Sequence, residues 1–314
     1  MSSPSSNPHA AAWMRTPERS NMAMLRVMTW ISLRLGRPAG RVVLHFIAAY
    51  FLLFAPASRR ASKAYLRRAL GRPVTWADQY RHFFSFAATI HDRIYLINQR
   101  FDLFDIEIQG QAALHDARAG EEGLFLIGAH MGSFEVIRAM GRQIPGLHVS
   151  MVMHEDNALK INAMLAAINP EASTDIIGLG RIDSMLRVRD KLNQGAMVGM
   201  LADRSIGDDA LLSSPLLGGV AYLPTGSFRM AALLRRRVVF MVGLYLGGNR
   251  YQINFEPLAD FSQTPAGQRG AEVDAAVKRY AALLDQYARQ APYNWFNFFD
   301  FWQAPAAVSD TQPK

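Results

Sequence analysis

Apolar residues along this chain fall into two regimes. Val42–Ala55 reads VVLHFIAAYFLLFA, an unbroken hydrophobic stretch. From about residue 120, short apolar runs alternate with amphipathic ones. GLFLIGA (123–129), HVSMVM (148–153), DIIGL (175–179) and AMVGMLA (196–202) predict buried strands. Helical stretches lie between them, near 133–143, 156–168 and 181–193. VVFMVGLYL (238–246) and RYQINFE (250–256) predict a strand pair joined through Gly247, Gly248 and Asn249, before a long helix near 271–290. Strand alternating with helix implies an α/β fold with a mainly parallel central sheet covered by helices. Sites in such sheets gather at the carboxyl ends of strands.

The N-terminal part reads differently. Residues 1–20 are rich in Ser, Pro, Asn and Ala and predict a loose tail. They lack the charged start, apolar centre and cleavage site of a secretory signal. A helix is expected over 22–35, ended by Gly36 and Pro38, and another over 75–98. Val42–Ala55 would rise about 21 Å as a helix, short of the roughly 30 Å hydrocarbon core. Arg34, Arg37 and Arg41 precede it; Arg59, Arg60, Lys63, Arg67 and Arg68 follow. A spanning helix would carry one of these clusters across the bilayer. The favoured reading is a hairpin or helix dipped into one leaflet, with a tilted span and a buried helix as alternatives. The chain divides into a tail (1–20), an N-terminal helical membrane-binding region (21–100), an α/β domain (101–304) and a second tail (305–314).

Charge sharpens that division. The net charge is +8, and residues 1–81 carry thirteen Lys and Arg against two acids, Glu18 and Asp78. The remainder is slightly acidic. Basic residues flanking an apolar stretch suit an anionic membrane surface better than nucleic acid. The chain has no cysteine, which excludes disulfides, thiolate nucleophiles and thiolate metal centres. It has no HExxH, phosphate-binding loop, GxGxxG or GxSxG motif, so no metal or cofactor is expected.

The sharpest local signal is GAHMGSFE, residues 128–135. A strand ends just before His130, and Ser133 is placed to cap a following helix that carries Glu135 in its first turn. Two helical residues five apart would point about 140° apart. With His130 in the loop, its ring can fold back toward Glu135, which would fix the tautomer while the other nitrogen takes a proton. On spacing alone, a lone histidine at a strand end serves structure more often than chemistry.

The segment resembles the H-x4-D/E motif of the lysophospholipid acyltransferase superfamily, and is most similar to its bacterial lipid A late acyltransferase branch. The likeness extends over about residues 25–302. It includes MLADRSIGDD (200–209), the segment LLGGVAYLPTGSFRMAALL with its P-x-G turn, and the closing PYNWFNFFDFW (292–302). The resemblance implies an acyltransferase moving a fatty acyl chain from a carrier thioester to a lipid hydroxyl. His130 would be the base, Glu135 its partner, and Asp203 with Arg204 would support them. Thr225 and Gly226, opening a helix, are candidates for holding a phosphate. The donor would be acyl carrier protein or acyl-coenzyme A, and the acceptor a membrane lipid at the cytoplasmic face of the inner membrane. Two positions depart from the branch. His154 stands where it carries an Arg, and Asp300 replaces a basic pair in the closing segment. A non-catalytic lipid-binding protein and a hydrolase using the same dyad are the rival readings.

Overall fold

The computed structural model describes residues 22–118, 122–143, 149–154, 168, 176–180, 183–205 and 209–303. The tails and most of the helix expected at 156–168 lie outside these residues. Among those described, strands β1 (Asp105–Gln109), β2 (Phe125–Gly128), β3 (Val149–His154), β4 (Ile176–Leu179), β5 (Met197–Leu201), β8 (Arg237–Gly247) and β9 (Arg250–Asp260) form one seven-stranded sheet. Its order is β1-β9-β8-β2-β5-β3-β4, parallel except for the β8–β9 pair. Strands β6 (Leu211–Leu216) and β7 (Gly219–Pro224) form a separate antiparallel hairpin.

The sheet is buried on both faces, which is why its strands read as continuous apolar runs. Side chains alternate between two apolar clusters. Phe125, Ile127, Phe240 and Val242 face one, with Val277, Tyr280 and Leu284 of the long helix Arg269–Gln290. Leu124, Leu126, Val239 and Met241 face the other, with Leu44, Ala88, Leu96 and Val136. The N-terminal helices thus share a core with the sheet.

Those helices are α1 (Met22–Phe54), α2 (Pro56–Leu70) and α3 (Trp76–Ile97). The expected stop at Gly36 and Pro38 is instead a kink. Gly36 adopts φ +81°, a conformation glycine takes without strain, and the helix resumes with Pro38 in its first turn. Packing against α3 holds both halves together. Ser32, before the kink, lies 2.9 Å from His91, and Arg37, after it, makes a two-pronged ion pair with buried Asp92 at 2.8 and 2.9 Å. Arg37 and Arg41 also donate to the Gly248 carbonyl in the β8–β9 turn. Beyond the kink, Leu44, Ala48 and Leu52 are buried at helical spacing, while Val42, Phe46, Tyr50, Leu53 and Phe54 are exposed. By length and composition, Ser32–Phe54 could cross a membrane.

The remaining helices are α4 (Gln111–Arg118), α5 (Phe134–Gln143), α6 (Ser184–Asn193), α7 (Gly226–Leu233) and α8 (Arg269–Gln290). Helix α5 follows β2 directly, with His130 in the five-residue loop before it.

Candidate active site

Strands β2 and β5 are parallel neighbours, with Gly128 opposite Leu201. His130 stands two residues past Gly128, and Asp203 two residues past Leu201. Equal offsets from a paired position bring them side by side at the carboxyl edge of the sheet. The bond from Ala202 N–H to Gly128 O, 3.0 Å, extends the pairing toward them. The Nδ1 of His130 lies 2.8 Å from Oδ1 of Asp203. The His130 backbone N–H also donates to both carboxylate oxygens, at 3.2 and 3.1 Å.

Asp203 is 2 % exposed, whereas the His130 side chain is 37 % exposed. Burial alone would push the Asp203 carboxyl up. The charges and hydrogen bonds of His130, Arg204 and Trp295 outweigh it and hold the group well below its ordinary range. An ionised carboxylate only accepts, so Nδ1 of His130 carries a proton and donates. In the neutral ring Nε2 is then the unprotonated nitrogen. Desolvation, then the Arg204 charge, lower the His130 pKa below its usual value, against the opposing pull of Asp203. The imidazole is therefore neutral, and ready to accept a proton, near pH 7.

Glu135 does not supply the hydrogen bond expected of it. Its buried carboxylate is taken by Arg138, one turn along α5, at 2.9 Å from Nε and 2.7 Å from Nη2. Arg93, from α3, adds its Nε at 4.0 Å. The His-to-Glu reading assumed that the nearest acid in sequence is the nearest in space. Parallel pairing delivers a residue 73 positions away instead.

The loop between His130 and α5 is fully tied down. Gly132 has φ +63°, and any Cβ there would stand 2.0 Å from the Gly243 carbonyl oxygen. Gly132 N–H donates to Asn294 O at 2.8 Å, and Ser133 N–H to Gly243 O at 2.7 Å. Ser133 is buried just before α5 begins at Phe134.

The closing segment backs this loop. Phe296 N–H donates to His130 O at 2.9 Å, and Trp295 Nε1–H to Asp203 Oδ2 at 3.0 Å. Arg204 reaches the Phe296 carbonyl at 2.9 Å and lies 5.2 Å above the Phe299 ring. Its Nε finds no hydrogen-bond partner among the described residues. Most of the closing aromatics are core, as their density suggests: Trp295 and Phe296 are buried, and Phe301 and Trp302 pack around Trp295.

Thr225 and Gly226 sit apart from the His130–Asp203 pair's own hydrogen bonds. Gly226 opens α7, and Thr225 bonds the Ala210 carbonyl through N–H and Oγ1, at 2.9 and 3.1 Å. The Asp209 carboxylate lies close by, 3.2 Å from where a Cβ on Gly226 would stand. A negative charge from the chain itself thus faces the amino end of α7. Sequence reasoning singled out the closing aromatic segment but not the bond from Trp295 to Asp203, and it missed Arg93 and Arg138 as members of this region. Of the two arginines, only Arg138 carried a signal, its i,i+3 spacing from Glu135.

A neutral imidazole backed by a buried carboxylate, at the carboxyl edge of a parallel sheet, is an arrangement able to accept a proton from a hydroxyl. The family profile described as "Bacterial lipid A biosynthesis acyltransferase" matches residues 10–304. The chain belongs to this acyltransferase family. No curated protein matches it.

Proposed function

We propose that this protein is a membrane-associated O-acyltransferase that moves a fatty acyl chain from an acyl carrier thioester to a hydroxyl of a membrane lipid or glycolipid. The observation that carries the reading is the 2.8 Å contact between His130 Nδ1 and Asp203 Oδ1. It leaves Nε2 as the proton acceptor. The acceptor hydroxyl gives its proton to Nε2 as its oxygen attacks the thioester carbonyl. The tetrahedral oxyanion collapses, the ester forms, and the leaving thiolate takes the proton back from His130. Asp203 stabilises the imidazolium between these steps. The loop amides of His130, Gly132 and Ser133 are already committed, so they are not donors to the oxyanion. The first-turn amides of α5, which lack helical partners, and the Arg204 guanidinium are the better candidates.

An apolar route supports lipid substrates. Phe296, bonded to His130, packs on Phe86 at 5.2 Å, and Phe86 packs on Phe298 at 5.4 Å. Phe298 stacks on Phe83 at 4.9 Å, and Phe83 on Phe51 at 6.4 Å. This aromatic run joins the base to the exposed apolar end of α1. Partly exposed Arg93 on α3, beside the buried Glu135–Arg138 ion pair, is the cation proposed to meet an acceptor or donor phosphate. Ser133 shapes the loop, and Thr225 with Gly226 would frame the site's far side. The membrane surface is proposed to be the cytoplasmic face of the inner membrane.

Lipid mass spectrometry of cells with and without the gene, complemented by wild-type or His130→Ala protein, tests the reading. A lipid that gains one acyl group only with the wild-type protein is expected. An unchanged lipid profile, or equal restoration by His130→Ala, would overturn it.

A further inference from the structure

The proposed mechanism leaves unexplained what fixes Asp203. One carboxylate oxygen faces the imidazole, but an aspartate side chain turns easily about its last torsion, which is broad and roughly two-fold. The second oxygen, Oδ2, accepts the Trp295 indole N–H at 3.0 Å. With Oδ1 at 2.8 Å from the His130 ring, Trp295 adds a side-chain donor on Oδ2 to the longer bonds that both oxygens accept from the His130 backbone N–H.

Trp295 is itself immobilised. It is 0 % exposed. Tyr65 meets its ring edge-on at 5.3 Å, Phe301 at 4.7 Å and Trp302 at 6.2 Å. Its backbone pairs with Met131, next to the base. Its carbonyl lies 2.9 Å from Nε2 of His82, whose Nδ1 lies 2.9 Å from Ser62 Oγ. Burial lowers the His82 pKa to about 4, so the ring is neutral. Its Nε2–H donates to Trp295 while Nδ1 accepts from Ser62. The hold on Trp295 therefore reaches back to α2 and α3.

A buried indole N–H needs some acceptor, so a contact alone would not imply function. Trp302 gives the comparison. It lies on the same segment and satisfies its N–H on a backbone carbonyl, Leu216 O, at 3.2 Å. Trp295 spends its N–H on the carboxylate that faces the base.

We propose that Trp295 is a positioning residue, the third member of a Trp295–Asp203–His130 array that sets the orientation and basicity of His130. The inference rests on the reading of His130 as general base with Asp203 as its partner. Trp295→Phe keeps the ring packing and removes the donor. Losing one hydrogen bond to a charged group should lower kcat about ten- to a hundredfold. KM should change little, because Trp295 is sealed from substrate. With the indole gone, Asp203 directs more of its charge at the imidazole, so the acid limb of the rate profile should move to higher pH. A merely structural tryptophan would leave that limb in place.

The decisive measurement is a double-mutant cycle of Trp295→Phe with Asp203→Ala, followed by kcat and pH profile. Trp295→Phe should cost almost nothing once Asp203 is gone. Additive losses, or an unmoved acid limb in the single variant, would overturn the inference. If His130→Ala and Asp203→Ala keep near-normal turnover, it is the base assignment that fails. Should Trp295→Phe not fold, the indole ¹⁵N–H resonance of the intact protein, one of five tryptophans, provides the test. It should shift with the same midpoint as the acid limb and lose that response in His130→Ala. A resonance indifferent to pH overturns the inference.

Discussion

His130 and Asp203 meet through sheet register, not through proximity in sequence. Each lies two residues beyond one member of the Gly128–Leu201 pair, and their side chains close to 2.8 Å. His130 is therefore held where two adjacent central strands of the sheet end. Its orientation does not depend on the helix that follows it.

This arrangement separates the two acids. Asp203→Asn should lower kcat about 10²–10⁴-fold, because an amide can present its N–H₂ and hold the wrong imidazole tautomer. Glu135→Gln should act mainly on stability. It would leave buried Arg138 and half-buried Arg93 beside a neutral group, a change of the kind that costs about 3 kcal/mol. Steady-state kinetics and thermal unfolding on both variants check this. Loss of turnover in Glu135→Gln at unchanged stability would return Glu135 to the chemistry.

The electrostatics of His130 set a pH dependence. In the proposed mechanism His130 must be neutral, and its pKa lies below the ordinary imidazole value. Activity should hold as pH falls toward that ordinary value and drop only below it. Arg204 is one cause of the lowering, so Arg204→Met should move the acid limb upward. The rate profile of kcat/KM for both proteins measures it, and an identical limb would show that Arg204 does not act on the base.

Gly132→Ala should disable the enzyme without touching a reacting group. The added methyl meets a backbone carbonyl, at a residue whose φ is +63°, so the loop has to move. A turnover loss of at least about a hundredfold is expected, the scale of a roughly 1 Å misplacement. Near-normal kcat would mean that the loop has freedom the packing does not suggest.

Much of the sheet was legible because its strands are buried on both sides and read as apolar runs. The predicted strand at 196–202 is β5, and the antiparallel pair across Gly247–Asn249 is β8–β9. Helix α2 escaped notice because its charged residues mask a narrow buried stripe of Tyr65, Leu66 and Ala69. Strand β1 is an edge strand with alternate residues exposed, and the β6–β7 hairpin is only partly buried. His130 stood out through GAHMGSFE and the family motif it resembles, since its place after an apolar strand alone favours a structural role. Its partner could not be named, because side-by-side placement needs the strand order, and local periodicity carries no strand order.

The same geometry bears on how α1 would meet a membrane. Arg37 and Arg41 fasten its near part to the β8–β9 turn, and α2 continues from its far end to pack Tyr65 on Trp295. Both ends of the apolar segment are thus attached to one body, which favours lying in one leaflet over crossing it. The chain has no cysteine, so single cysteines report cleanly. Cysteines at Arg34 and Arg60 should label from the same side of sealed vesicles. Labelling from opposite sides would establish a span.

The basic surface next to α1 makes the last test. Arg59, Arg60 and Lys63 line one cleft with Val74, Trp76 and Gln79. Lys63, Arg67 and Arg72 line a neighbouring one with Gly71, Pro73 and Val74. Neither lining includes an acid, although Arg72 is paired with Asp78 at 2.8 Å. An acidic carrier protein would be drawn to such a surface, and coenzyme A would gain less from it. Arg68 is a poor probe, because its guanidinium stacks 4.6 Å over Trp302 and its loss would disturb the closing segment. Lys63 and Arg67 are exposed and make cleaner ones. Reversing both to Glu should lower kcat/KM with the carrier thioester more than with the coenzyme A thioester. The wild-type preference for the carrier should also shrink as salt rises, since screening acts on exposed charges. The comparison needs both donors, one acceptor and detergent micelles without net charge, so that membrane binding is not altered at the same time. Equal efficiencies that ignore both salt and charge reversal would assign these clefts to the lipid surface alone.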